Sequence, residues 1–243
     1  MTAVFVHGVP ETPAVWVPLV EHLERDDVAL LQMPGFGCDL PAGFDATMHR
    51  YATWLAEELT AFEQVDLVVH DWGALLALRV LADQPANVRS WATDMGDLGD
   101  DFRWHDTARV WQTPGEGEAL IDGMLAASTA ERAALLTAVG VPEAHATEMA
   151  SHLDATMGAA ILTLYRSAVD IGTEWGPGID RIRGAGLVIS SMQDPFRSHD
   201  RATRLAARTG ADLVELPEAG HFWMLEQPER CAQILTEHWR RLG

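Results

Sequence analysis

The sequence contains no lysine, one asparagine and two cysteines. Because all 17 basic residues are arginine, a Schiff-base lysine and the lysine of a phosphate-binding P-loop are both excluded. Cys38 and Cys231 lie far apart, so they are neither a disulfide framework nor a zinc site with closely spaced thiols. Any mechanism that needs an asparagine would have to use Asn87.

Positive charge is scarce as well. The 17 arginines face 36 aspartates and glutamates, which gives a formal net charge of -19. Such a charge repels phosphate backbones and anionic lipids, so neither nucleic acid nor a membrane is an expected partner. The N-terminal residues MTAVFVHG lack the basic and long apolar segments of a signal peptide, and no run of about 18 apolar residues follows. A cytoplasmic protein is therefore expected.

Six short apolar runs alternate with helical patterns along most of the chain. Runs of β-branched residues and leucine are typical of strands that are buried on both faces of a parallel sheet. They cover residues 3–6, 28–33, 65–69, 88–93, 187–191 and 212–216. The helical patterns between them cover residues 13–24, 46–62, 74–83, 199–208 and 228–242. This alternation predicts an α/β fold with helices on both faces of a mostly parallel sheet.

The alternation is interrupted once, between the fourth and fifth runs. Residues 96–184 show only helical patterns, separated by glycines and prolines. We interpret this region as a helical cap inserted into a core made of residues 1–95 and 185–243. A chain of 243 residues has the size of one such core with one inserted subdomain.

The strongest local signal for chemistry is LVVHDWGALL at residues 67–76. A buried strand ends at His70, Asp71 and Trp72 follow, and a helix begins near Gly73. This is the pattern of a nucleophile elbow with Asp71 in the place of the usual serine. The helix dipole would keep that carboxylate ionised. The alternative interpretation is that Asp71 only caps the helix.

Three further segments follow other predicted strands and fit the same site. In an elbow of this kind, the backbone N–H groups of Val9 and Trp72 would form an oxyanion hole. His221 would activate water, and Asp194 would orient its imidazole. An ordinary turn or surface loop is the alternative for each segment, and the remaining competitors for the acid are Asp94 and Asp97.

Together these segments resemble the α/β-hydrolase superfamily, and within it the epoxide hydrolases and haloalkane dehalogenases, which have an aspartate nucleophile. They are HGVPE at 7–11, PGFG at 34–37, HDWG at 70–73, QDPF at 193–196 and AGHFWMLEQPE at 219–229. The family usually begins with two more strands, so the resemblance implies about six strands, with residues 28–33 at an edge of the sheet. Because an apolar edge strand invites pairing, a homodimer or a covering segment is a hypothesis.

The resemblance implies that Asp71 attacks an sp³ carbon of a small apolar electrophile and that His221 then helps water to hydrolyse the ester. It implies no cofactor and no metal. An epoxide needs a hydroxyl donor for its oxygen, and Tyr165 in the cap matches a family tyrosine. A halide needs N–H donors, which Trp72 and a second tryptophan would supply. The remaining pocket candidates are His7, Trp104, His105 and Trp111.

An epoxide hydrolase is the first prediction, and a haloalkane dehalogenase is the alternative. A specialised natural-product hydrolase and a binding scaffold without activity also remain open, because a fold alone does not prove activity. His145, Glu148 and His152 lack the tighter spacing of a helical zinc motif, so we interpret them as a solvated helix face.

Overall fold

The computed structural model describes every residue from Met1 to Gly243, and its centre is one sheet of six parallel strands. The strand order is β2-β1-β3-β4-β5-β6, which confirms the predicted α/β-hydrolase fold and places the predicted edge strand at the edge. The strands are β1 (Thr2–Val6), β2 (Val28–Leu31), β3 (Val65–Val69), β4 (Val88–Thr93), β5 (Ala185–Ser191) and β6 (Asp212–Leu216).

Alternate residues of each central strand pack into opposite hydrophobic layers, as the pleat of a strand requires. Val4 and Val6 of β1 belong to the larger layer, whereas Ala3 and Phe5 belong to the smaller one. All five residues of β3 are buried. This two-sided burial is the reason why the strands read as continuous apolar runs in the sequence.

Six α-helices lie outside the region between β4 and β5. They are α1 (Val17–Val20), α2 (Met48–Leu59), α3 (Asp71–Leu81), α10 (His199–Thr209), α11 (Trp223–Glu226) and α12 (Pro228–Arg240). The continuous helix predicted over residues 13–24 is wrong. A 3₁₀ helix at Pro13–Trp16 precedes α1 instead, and Pro18, which has no N–H for an interior helical hydrogen bond, lies in the first turn of α1.

Only helices lie between β4 and β5, where the cap is predicted. They are α4 (Asp106–Gln112), α5 (Glu116–Ala126), α6 (Thr129–Ala138), α7 (Glu143–Ser151), α8 (Ala155–Ser167), α9 (Ile171–Trp175) and a 3₁₀ helix at Gly176–Arg181. The division of the chain into core and cap stays a prediction. No helix of the chain combines the length and the apolar character that crossing a bilayer requires.

The parallel sheet brings the chemically important loops to one edge. Because all strands point the same way, the loops after β1, β3, β4, β5 and β6 leave from the carboxyl edge of the sheet. These loops carry the segments singled out in the sequence, including Asp71, Asp194 and His221.

Candidate active site

The turn between β3 and α3 presents Asp71 in a strained conformation. Its φ of +49° lies in the left-handed region, which non-glycine residues rarely adopt. Gly73 allows the backbones to approach, because a Cβ there would lie 2.6 Å from the carbonyl oxygen of Val6. A Cβ at Gly8 would collide with the Cβ of Asp71. The turn therefore has the backbone features of a nucleophile elbow.

The Asp71 carboxylate does not cap its helix. His70 occupies the N-cap position without a side-chain capping bond, and Asp71 is the first helical residue. Both carboxylate oxygens instead face groups from other loops. The N–H of Val9 donates to Oδ1 at 3.0 Å, whereas the N–H of Trp72 donates to neither oxygen. The interpretation of Asp71 as a simple cap is therefore wrong.

The second oxygen of the carboxylate, Oδ2, faces two cationic or basic side chains. Arg197 Nη2 donates to Oδ2 at 2.8 Å, and His221 Nε2 lies 3.9 Å from the same oxygen. Burial by itself would raise the pKa of Asp71, but the charge of Arg197, followed by the two neighbouring histidines and the Val9 amide, holds that pKa below its usual value. Asp71 is therefore an anion at neutral pH.

Asp194 and His221 form a buried pair beside Asp71. Nδ1 of His221 lies 2.8 Å from Asp194 Oδ2, and the backbone N–H of Phe196 donates to Asp194 Oδ1 at 2.7 Å. Burial would raise the pKa of Asp194, but His221 and Arg197 lower it below its usual value. The carboxylate thus fixes the ring so that Nε2 faces Asp71.

The other two candidate acids have different partners. Asp97 forms ion pairs with Arg208 and with Arg204. Asp94 lies beneath the elbow, where its Oδ1 accepts the N–H of Asp71 at 3.2 Å. Neither one contacts His221, so Asp194 is the acid that the geometry provides.

His70 forms a second carboxylate–imidazole cluster under the elbow, which the sequence analysis did not predict. Its Nδ1 is bonded to Asp94, and its Nε2 lies 3.0 Å from Oε1 of Glu11. Burial alone would lower the pKa of His70, but Glu11 and Asp94 raise it well above the usual value. Trp223 Nε1 donates to Asp94 at 2.8 Å, and the charge of His70 lowers the pKa of Asp94 despite its burial.

Glu11, His70 and His221 bring ligand-type atoms within 4.8 Å of one another, so a metal ion at this place has to be considered. Glu11 and His70 already face each other at 3.0 Å, and the other ring nitrogen of His70 is bonded to Asp94, so these groups are engaged with one another as an ion-paired cluster. In the predicted helix face farther along the chain, His152 Nε2 lies 2.7 Å from Glu148 in an exposed pair.

Tyr165 lies among the aromatic side chains that were predicted around the site. Its ring packs against those of Trp72, Trp104 and Trp111 at centroid distances of 5.3, 5.2 and 4.7 Å. The side chain is 2% exposed, and burial together with the nearby Asp71 charge raises its pKa well above the usual value. Tyr165 therefore keeps its proton at neutral pH.

The indole N–H groups of the three tryptophans differ in availability. Trp104 Nε1 donates to the carbonyl oxygen of Ala168 at 2.8 Å, so it has no free N–H for a halide. The buried N–H groups of Trp72 and Trp111 make no hydrogen bond of good geometry, although the Trp72 indole lies close enough to the Tyr165 hydroxyl to lower its pKa.

A cavity of about 200 Å³ opens beside Asp71. Trp104 and His105 line it, as does Phe196, whose ring lies 5.0 Å from both His105 and His221. Burial lowers the pKa of His105. Because His105 Nδ1 accepts the N–H of Ala108 at the start of α4, its ring is held in place at the cavity wall.

The structure places two predicted pocket residues elsewhere. His7 is completely buried, its Nε2 accepts the N–H of Met33 at 3.1 Å, and burial lowers its pKa to about 4. It is a neutral structural residue, and the prediction that it lines the pocket is wrong. Trp111 lines a separate apolar cavity of about 240 Å³ between the helices that follow β4. This second cavity also contacts Pro10, which follows Val9 in the chain.

Arg197 is a site residue that the sequence analysis missed. It follows the QDPF segment by one position, and its side chain is only 13% exposed. The sequence signal was its spacing of three residues from Asp194, but the same spacing is common in surface turns. Glu11 and His70 were quoted as parts of motifs, and their contact with each other depends on the packing of two separate loops.

Comparisons with known proteins agree with this architecture. The model of the alpha/beta hydrolase family matches residues 3–234. No curated protein matches the chain. A haloalkane dehalogenase from Bradyrhizobium elkanii is similar in structure, with 20% identity, a TM-score of 0.76, and coverage of 99% of this chain and 91% of that chain.

Two hydrolases of other kinds are equally similar. An esterase from Thermogutta terrifontis has 16% identity and a TM-score of 0.75, with coverage of 100% of this chain and 90% of that chain. A meta-cleavage product hydrolase from Pseudomonas fluorescens has 16% identity and a TM-score of 0.78, with coverage of 100% and 92%. At such identities these likenesses show the fold alone. Since the family model spans nearly the whole chain, the protein belongs to the alpha/beta hydrolase family.

Proposed function

We propose that the protein is a hydrolase in which the Asp71 carboxylate forms an ester with substrate carbon and His221 activates the water that cleaves it. The observation that carries this proposal is the placement of the two carboxylate oxygens. Oδ1 accepts the Val9 N–H at 3.0 Å, and Oδ2 faces His221 Nε2 at 3.9 Å. A carboxylate nucleophile needs no base to remove a proton before it attacks, so the absence of a hydrogen bond between Oδ2 and Nε2 fits this role.

In the first step, Oδ2 attacks an sp³ carbon and the bond from that carbon to its leaving group breaks. The bonding electrons leave with an epoxide oxygen or with a halide. In the second step, His221 Nε2 takes a proton from water, and the hydroxide attacks Cγ of Asp71. Negative charge then develops on Oδ1, where the Val9 N–H stabilises it. Collapse of this intermediate releases the alcohol, which receives the proton from His221.

The leaving group separates two candidate reactions. Tyr165 favours an epoxide, because its phenol is protonated at neutral pH and its ring packs 5.3 Å from that of Trp72, the residue after Asp71. A hydroxyl donor of this kind would protonate the alkoxide of an opening epoxide. An epoxide hydrolase that forms a vicinal diol is therefore our first proposal.

A haloalkane dehalogenase is the second proposal, and a different observation favours it. The buried indole N–H of Trp72, the residue after Asp71, makes no hydrogen bond of good geometry, and its polar neighbour is the Tyr165 hydroxyl. An unsatisfied buried donor is costly, and a leaving halide would satisfy it. Trp104 is engaged by Ala168 and Trp111 lines the separate cavity, so Trp72 supplies the one indole N–H next to Asp71 for this role.

The test is to trap and locate the ester. His221→Gln protein incubated with styrene oxide or 1-bromohexane should gain the mass of the alkyl group, and peptide mapping should place it on Asp71. The double variant Asp71→Asn/His221→Gln is the matched control and should gain no mass. In turnover by wild-type protein, diol release from the epoxide favours the first proposal, and halide release from the bromoalkane favours the second.

Isotope labelling tests the route of water independently. In a single turnover of wild-type protein in H₂¹⁸O, the label should enter the Asp71 carboxylate, because water attacks Cγ. Label found only in the product would show direct attack of water on the substrate and would rule out the ester.

A further inference from the structure

Arg197 is a buried cation that uses few of its donors. A guanidinium has five N–H donors, and the side chain makes one hydrogen bond, from Nη2 to Asp71 Oδ2 at 2.8 Å. Its buried Nε has no hydrogen-bond partner and lies 4.0 Å from the nearest oxygen of Asp194. An incompletely satisfied buried guanidinium is expensive, so this arrangement points to an absent partner with acceptor atoms.

The bond to Arg197 also conflicts with the proposed role of Asp71. The guanidinium occupies Oδ2, which is the oxygen that attacks in the proposed reaction. A charge-assisted hydrogen bond holds electron density on that oxygen and lowers its nucleophilicity. Arg197 therefore has to exchange Asp71 for another acceptor before the attack.

The cavity beside Asp71 is rich in arginine, although the whole chain has a net charge of -19. Arg103, Arg197 and Arg201 line it, and Asp71 is the one acidic residue in its wall. Arg201 lies 3.5 Å from Asp101, but Arg103 donates only to backbone carbonyl groups and pairs with no carboxylate. The local surplus of positive charge offsets the repulsion that an anion would meet elsewhere on this protein.

We propose that the substrate of this site carries a carboxylate, that Arg197 binds it, and that this exchange frees Oδ2 of Asp71 for attack. The inference rests on the proposed function, and it adds the chemical class of the substrate. A carboxylate matches the planar fork of a guanidinium, and the second acceptor oxygen would also satisfy the free Nε. A cavity of about 200 Å³ suits a small electrophilic acid.

Isosteric pairs of acid and amide test this proposal. Glycidate is compared with glycidamide, and 3-bromopropionate with 3-bromopropionamide, so that each pair differs in charge and shares its reacting carbon. Wild-type protein should have a kcat/KM at least 100-fold higher for the acid of the reactive pair. Arg197→Gln should lose that preference, with a loss of at least 100-fold on the acid and less than 10-fold on the amide. The matched control is Arg50→Gln, which changes a partly exposed arginine on α2 and should retain the preference.

Binding of unreactive propionate separates failure of the inference from failure of the proposed function. Wild-type protein should bind propionate in calorimetry, and Arg197→Gln should not; propionamide should bind to neither. If propionate binds through Arg197 but no member of either pair reacts, the anion site stands and the proposed chemistry fails. If the amides react as well as the acids in wild-type protein, the inference is wrong and the proposed chemistry stands. Should Arg197→Gln fail to fold, the wild-type preference and Arg197→Lys, which retains the charge, decide the question.

Discussion

Two histidines lie side by side in this protein, with ring centroids 4.6 Å apart, yet their surroundings differ. His70 has a carboxylate at each ring nitrogen, Glu11 on one side and Asp94 on the other. His221 has its closest carboxylate partner, Asp194, at Nδ1, and directs Nε2 towards Asp71 across 3.9 Å. A ring with both nitrogens engaged is held as a cation, whereas a ring with one free nitrogen can move a proton.

The two histidines at this edge of the sheet therefore have different roles: His70 stabilises the loops, and His221 is placed to take part in the reaction. Glu11 also accepts the N–H of Gly8 at 2.9 Å, and Asp94 accepts the N–H of Asp71. The His70 cluster therefore ties together the backbones of the two loops that present Val9 and Asp71. His221 contributes no such ties and faces the cavity wall beside Phe196.

The largest effect is expected from replacing His221, the histidine that we assign to the reaction. His221→Gln should lower the steady-state rate by about 10³-fold or more, because the ester would lose its general base. Its free energy of unfolding should fall by less than that of His70→Gln, since Arg197 still lies 4.0 Å from the Asp194 carboxylate that loses its imidazole. Steady-state rates and urea unfolding measure the two quantities. An unchanged rate would remove His221 from the mechanism.

Replacing His70, the histidine that supports the loops, should mainly reduce stability. His70→Gln should lower the free energy of unfolding by about 3–5 kcal/mol, because it leaves two buried carboxylates without their cation. Urea unfolding measures the loss, with exposed His22→Gln as the control. A loss below about 1 kcal/mol would mean that the buried charges of Glu11 and Asp94 are not balanced by His70.

The two acids provide a sharper comparison, because both bond to a histidine Nδ1. Asp194→Asn should reduce kcat by about 10²-fold or more through misorientation of His221, with a small loss of stability. Asp94→Asn should reduce stability by about 2–3 kcal/mol, since it breaks bonds to His70, Trp223 and the elbow backbone. Equal effects of both variants on kcat and on stability would contradict the separation of roles.

The smallest expected effect is the pH dependence of stability. The folded state raises the pKa of His70 above its unfolded value of about 6.5, so it binds that proton more tightly than the unfolded chain does. This contribution is complete below about pH 6.5 and disappears as the pH rises through the folded-state pKa.

The measurement is the difference in urea midpoint between wild-type protein and His70→Gln from pH 6 to pH 10. This difference should shrink as the pH rises. A difference that stays constant over the whole range would show that His70 has no raised pKa in the folded state.

Much of the frame was predictable from local patterns. Buried strands appear as continuous apolar runs, so all six strands could be located, whereas the edge position of residues 28–33 followed from the family resemblance. The helix after His70 starts at Asp71, three residues earlier than its periodicity predicts, because the elbow turns without a separate linker. Around Pro18 the error was to predict one continuous helix. The amphipathic pattern continues there, although the backbone changes from a 3₁₀ helix to an α-helix.

Side-chain partners were less predictable than backbone elements. His7 belongs to a recognisable motif, yet it supports the loop before Met33 and does not reach the cavity. Trp104 and Trp111 lie seven residues apart, but one indole is engaged by Ala168 and the other is free of partners. These differences arise from contacts with α8 and the loop after it, which sequence spacing does not encode.

By itself the sequence determined the parallel sheet, the tight turn at Asp71 and the order of the reactive segments along the chain. Each of these depends on residues that are neighbours in the chain or that repeat with a short period. Only the tertiary structure decided that Arg197 is bonded to Asp71 and that His70 lies between Glu11 and Asp94. Charge pairing depends on distances of a few ångströms between loops from different strands, and packing alone sets those distances.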